Sequence, residues 1–120
     1  MFSEQGYLLR IYISEDDRYD DQPLYGWIVR RAREAGLAGA TVLRGLEGFG
    51  ARSHLHTAKI LRLSIGLPVV IEIVDSREQL ERFLPVVETA VADGLATLET
   101  VAVHRYGDAG EDDDEGGAAT

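Results

Sequence analysis

Residues Leu67–Val74, Leu-Pro-Val-Val-Ile-Glu-Ile-Val, leave this chain few choices of fold. β-branched side chains crowd a helix and suit a pleated strand, so the run reads as the best strand in the sequence. Directly after it, Ser76 with Gln79 three residues on makes a capping box. The box opens a helix that carries Leu80, Phe83, Leu84, Val87 and Val91 on one face and closes at Gly94. Pro85 lies inside this helix and is expected to kink it or to mark the end of its first turns.

The same periodicities organise the rest of the body. Tyr7–Ile13 alternates, with Leu9, Ile11 and Ile13 on one face and Arg10 and Tyr12 on the other, which predicts a strand. A polar loop covers Ser14–Gln22. Pro23 suits the first helical position, Leu24, Ile28, Ala32 and Ala35 recur at helical spacing, and Gly36 supplies the C-terminal stop. Ala40–Leu46 reads as a second strand, Lys59–Leu63 as an extended piece, and Ala96–Tyr106 as the last strand. Strand, helix, strand, strand, helix, strand in a chain of 120 residues predicts an α+β ferredoxin-like plait (βαββαβ), an antiparallel sheet with two helices on one face. The helices cover one face only. Leu8, Tyr12, Val70 and Val74 fall on the other, and an exposed apolar sheet face implies a partner, most simply another copy of the chain.

Charge divides the sequence into two domains. The formal charge is −9, from 12 basic and 21 acidic side chains, but six of the acids follow Gly107 with no base among them. That segment, 107–120, cannot bury enough apolar surface to offset its ordering entropy and reads as a disordered acidic tail. The body, 1–106, keeps 12 bases against 15 acids. Near balance gives no support to nucleic-acid binding, which needs a basic surface. With no cysteine there are neither disulfides nor thiolate chemistry. Without a leader pattern or an apolar run long enough to span a bilayer, a cytoplasmic protein is expected, with no membrane insertion.

The densest polar cluster is Arg52, Ser53, His54, His56, Thr57, Lys59 and Arg62, next to Gly48-Phe49-Gly50. Cations and hydroxyls near glycines are what an anion needs, donors close by and room to approach the backbone. On that reading Gly48, Phe49 and Gly50 shape a floor while Arg44, Arg52 and Lys59 supply charge. On the plainer reading the glycines form a bulge and a turn, and the bases pair with acids such as Glu47. His54 and His56 would point the same way on an extended segment, but no third ligand accompanies them, so no metal or other cofactor is expected. Ser53 beside His54 is adjacency without an orienting group, not a catalytic triad. Glu72, inside an apolar strand, requires a partner among Arg10, Arg44 and Arg105. Trp27 and Tyr25 read as packing. The acids at 15–17 and 20–21 lack a calcium-loop pattern and read as solvated.

Together, longer motifs carry a resemblance. Thr41–Gly50 leading through a polar loop into Leu67–Val74 resembles the PII signalling proteins. Leu9–Glu15 (LRIYISE), Pro23–Tyr25, Ala32–Gly45 (AREAGLAGATVLRG), Gly48-Phe49-Gly50 and His56–Leu63 (HTAKILRL) are similar to a bacterial PII-like family of unknown function, number one hundred and ninety in its series. The resemblance spans Gly6–Tyr106. It implies a homotrimer of ferredoxin-like subunits and ligand clefts between them, beside a long loop. It also implies a non-enzymatic regulator, with a small anionic or nucleotide-like ligand and a small-ion transport protein as candidate partners. The alternatives are a ligand-free assembly module docking on such a transporter, or a small plait-fold enzyme. One departure stands out: where PII proteins place a glycine- and lysine-rich phosphate loop, this chain has Asp93–Glu99, with one glycine and no base. Nor does the stretch from Gly50 to Leu67 hold a tyrosine for uridylylation.

Overall fold

The computed structural model describes residues 3–49, 56–57 and 66–107. Its elements run β1 (Ser3–Ser14), β2 (Arg18–Tyr19), β3 (Gln22–Pro23), α1 (Leu24–Glu34), β4 (Thr41–Arg44), β5 (Glu47–Gly48), β6 (His56–Thr57), β7 (Pro68–Asp75), α2 (Arg77–Ala90) and β8 (Leu95–His104). β4, β7, β1 and β8 form one antiparallel sheet in that spatial order. This is the ferredoxin-like plait that the order of strands and helices predicts. The extended piece expected at Lys59–Leu63 and the acids from Asp108 onward lie outside the described residues.

One sheet face and two helices make the core. Leu9, Ile11 and Ile13 of β1 and Val69, Ile71 and Ile73 of β7 are all buried. They meet Leu24, Trp27, Ile28 and Ala32 of α1 and Leu80, Phe83, Val87 and Ala90 of α2. Each large side chain so buried contributes roughly 1.5–3 kcal/mol. Tyr19 stacks edge-on against Trp27, 4.7 Å between ring centres, and Arg31 lies over the same indole at 5.1 Å.

Local chemistry sets the helix ends. Ser76 is the N-cap of α2, its Oγ accepting from the Gln79 amide at 3.1 Å. Gly36 follows the end of α1 with φ +80°, the left-handed turn that favours glycine. Pro23 does not occupy the first helical position: it is the N-cap residue, and the Leu24 amide bonds instead to the Asp17 carbonyl at 2.8 Å. Pro85 does not end the first turns of α2, which continues to Ala90. Both Pro85 and Glu81, whose carbonyl loses its partner amide, are on the exposed side, where water can satisfy that carbonyl. Inside the expected polar loop, β2 and β3 form a tight hairpin through Asp20 and Asp21, both at positive φ as a type I′ turn requires.

Register orders the uncovered sheet face into rows. Leu43, Val70, Tyr12 and Leu95 lie side by side across all four strands. Leu43, Tyr12 and Leu95 are 47%, 39% and 58% exposed. In the neighbouring row Thr41, Glu72, Arg10 and Thr97 are polar, and beyond it come Val74, Leu8 and Glu99. Leu8 departs from expectation, being only 8% exposed although it points away from the helices.

Candidate functional site

The end of the sheet where β4 stops and β7 begins carries the predicted site. Backbone approach is close there. The Gly45 amide donates to the Pro68 carbonyl at 2.8 Å, and a Cβ at Gly45 or Gly48 would lie 3.0 or 3.1 Å from the Pro68 ring. β5 pairs with β6, placing Gly48 opposite His56 and Glu47 opposite Thr57, so a short ladder closes the neck of the segment between them. Phe49, at that neck, is 73% exposed, and Leu46 is 77% exposed.

Of the predicted ligand-binding residues, the structure brings Gly48 and His56 together through this ladder and sets Phe49 beside them. Arg44 ends β4 on the same side, but its guanidinium is engaged: Nη2 donates to Glu15 Oε2 at 2.5 Å. Its partner is thus Glu15 across the loop end rather than the adjacent Glu47. The second Glu15 oxygen, Oε1, is shielded from solvent and has no hydrogen-bond partner among the described residues. Gly50, Arg52, Ser53, His54, Lys59 and Arg62 lie outside the described residues. Asp16 and Asp17 serve the backbone, accepting from the Gly66 and Ser14 amides at 3.2 and 3.0 Å. Among the described residues no group of three or more His, Asp or Glu is placed to hold a metal.

The turn into β8 is built for packing. A Cβ at Gly94 would meet the Tyr12 carbonyl oxygen at 2.5 Å and Ile13 and Val91 at 3.2 Å, so only glycine lets the turn lie against β1. With one glycine committed to that contact and no base from Asp93 to Glu99, the turn offers no phosphate cradle.

On the uncovered face Arg10 joins two carboxylates, Nε to Glu72 Oε2 at 3.0 Å and Nη1 to Glu99 Oε1 at 3.2 Å. The Glu72 hydrogen bond, reinforced by the Glu99 charge, raises the guanidinium above its ordinary range against the opposing effect of desolvation. Glu72 is therefore neither fully buried nor unpartnered. Its side chain is 31% exposed and already paired.

Local sequence patterns give no sign of a second feature, a cleft of about 970 Å³ at the opposite end of the sheet. Its walls come from the start of β1 (Glu4 to Gly6), the end of α1, the α1–β4 connection (Leu37 to Ala40), the end of β7 and the end of β8. Asp75 fixes the connection, accepting from the Ala38 and Ser76 amides at 2.8 and 2.7 Å. Arg105 closes one side in a forked pair with Glu4 Oε2, at 2.9 and 2.7 Å. Five separate segments contribute, so no local motif could have announced it; the only sequence trace is the charge at Arg33 and Arg105.

Comparison with known proteins places this architecture. In the solved structures, CPII from Thiomonas intermedia K12, a nitrogen regulatory PII-like protein bound to ADP, AMP and bicarbonate, superposes with a TM-score of 0.61 at 18% identity, covering 87% of this chain and 92% of its own. A second CPII structure, bound to ADP, AMP and acetate, gives 0.55 over 88% and 94% at 18% identity. At that identity the match speaks for the fold. Closer in sequence, a UPF0166 protein of Aquifex aeolicus (strain VF5) is 43% identical over 96 residues, 80% of this chain and 90% of its own. A UPF0166 protein of Methanocaldococcus jannaschii is 35% identical over 99 residues, 82% and 91%. The family model DUF190, Uncharacterized ACR, COG1993, matches residues 6–103. The plait, the glycine-punctuated loop neck and this match agree: the chain belongs to the DUF190 family, with a PII-like fold.

Proposed function

We propose that this chain is a cytoplasmic, non-enzymatic PII-like regulator that works as a homotrimer. It takes a small anionic or nucleotide-like ligand between subunits and presents the loop from Ala51 to Ser64 to a partner, for which a small-ion transport protein is the candidate. The observation that supports this reading is a plait whose sheet face away from the helices carries an exposed apolar row, with the glycine-lined loop neck at one end of the sheet and a cleft at the other. The loop neck at Gly48 and the cleft beside Arg105 are separated by the length of β1 and β8. One small ligand can touch both only across a boundary between copies. The CPII structures, of the same fold, are of a protein bound to ADP with AMP and bicarbonate or acetate, which supports this ligand class.

A ligand-free assembly module is the second reading, favoured by two observations: Arg44 is held by Glu15, and the Gly94 turn is committed to packing. Calorimetric titration of the full chain with ADP, AMP and bicarbonate separates the two. The regulator reading expects a saturable isotherm weakened by Arg52→Ala. Flat traces with all three, in wild type and variant alike, support the assembly module instead.

A further inference from the structure

The sheet face away from the helices carries one carboxylate more than its bases can balance. Among the described residues, its titratable and charged groups are Glu4, Arg10 and the Tyr12 phenol of β1, Glu72 of β7 and Glu99 of β8; β4 adds only Thr41 and Leu43. Arg105, just past β8, is held by Glu4. Arg10 is left between Glu72 and Glu99, at 3.0 and 3.2 Å, and one guanidinium balances one carboxylate. No other described base lies on this face. Arg18 belongs to β2, Arg44 falls on the helix side of β4 opposite the buried Val69, and the remainder are on α1 and α2. His104 also falls on the helix side, in step with Leu98.

Water tolerates the surplus charge while both acids are partly exposed. The trio nevertheless sits where a covering surface must meet it. Its row, Thr41–Glu72–Arg10–Thr97, runs beside the apolar row that includes Tyr12, and Val74, Leu8 and Glu99 form the row on its other side. Rows on one face are two residues, roughly 7 Å, apart. A surface that covers both exposed Tyr12 and exposed Val74 therefore spans the trio as well.

We propose that covering this face with further copies of the chain is coupled to proton uptake: as copies close, one proton from solvent discharges the Glu72–Glu99 pair in each, and it returns to solvent when they part. The physical cause is desolvation, since a carboxylate without its own counter-charge is far costlier out of water than a protonated one. The coupling rests on the assembly proposed above. Its sign follows from linkage: the assembled state holds more protons than the separate chains, so association tightens as pH falls and weakens as pH rises.

Carboxylates in water are mostly ionised above about pH 5. With up to one proton per copy, the trimer association constant should fall roughly a hundredfold or more between about pH 5 and about pH 7.5. Sedimentation velocity of the full chain over a concentration series, at fixed ionic strength, reads this. Glu99→Gln leaves Arg10 and Glu72 as a balanced pair; its association should change by no more than about threefold over the same range, and should exceed that of the wild type at the higher pH. Glu88→Gln makes the same change of charge on the exposed side of α2, and should keep the wild-type dependence. A wild-type trimer equally tight at both pH values, or a pH dependence that survives Glu99→Gln, overturns the coupling and leaves the trimer standing. Wild-type chains that stay monomeric at every pH and concentration overturn the coupling and the assembly together.

Discussion

Leu95→Asp separates the fold of one chain from the assembly proposed for it. Leu95 opens β8 at the end of the row Leu43–Val70–Tyr12–Leu95, and is 58% exposed. In an isolated chain a substitution this exposed changes stability by about 0.5 kcal/mol or less. If the row is covered by further copies, the remaining half of the leucine's burial, about 1 kcal/mol, is lost. An unpaired carboxylate must also be desolvated, which adds about 3 kcal/mol. Roughly 4 kcal/mol per copy weakens association about a thousandfold. Sedimentation velocity over a hundredfold concentration range, with circular dichroism on the same samples, reads both effects. The expected result is a folded chain that sediments as a 13.2 kDa species where the wild type sediments near 40 kDa. An undisturbed trimer in the variant, or a folded wild-type monomer at every concentration, would refute the role given to this face.

Other substitutions test the remaining physical claims. Gly94→Ala drives a methyl against the Tyr12 carbonyl, 2.5 Å from the Cβ position, and should cost about 1–3 kcal/mol in urea unfolding. An unchanged midpoint would mean the turn is free to move off β1. Ser76→Ala removes the α2 cap and should cost about 1 kcal/mol, whereas Ser76→Asp should retain most of it. Ile71→Ala opens a cavity between β7 and both helices and should cost about 3 kcal/mol in the same assay. Glu15→Ala removes the acceptor and frees the Arg44 guanidinium. On the regulator reading it tightens ADP binding in calorimetry; unaltered binding would remove Arg44 from the site.

How legible each part is in the sequence depends on the range of its interactions. β1, β7 and the α2 cap depend on neighbours within a few residues, and alternation at Leu9–Ile13 or the Ser76–Gln79 spacing reports them directly. Pro23 and Pro85 depart from expectation because propensity says only what proline cannot donate. Their roles are decided by the Asp17 carbonyl serving Leu24 and by the solvent beside Glu81. Leu8 lies on the face that alternation gives it, yet it is buried, since its cover comes from β7 and β8, far along the chain. The Arg44–Glu15 pair joins residues 29 apart, and the pairing of Gly48 with His56 is set by a two-residue ladder without a hydrophobic pattern. Most of all, the cleft beside Arg105 is a product of topology: the β4–β7–β1–β8 order of the plait brings the start of β1 and the ends of β7 and β8 to one end of the sheet.

Native mass spectrometry of the full chain, sprayed with and without ADP, is the most direct test of the central claim. The account predicts an assembly of three 13.2 kDa chains, about 40 kDa, that gains up to three ADP adducts as the nucleotide is raised. A 13.2 kDa species with no adduct at any ADP concentration would contradict it.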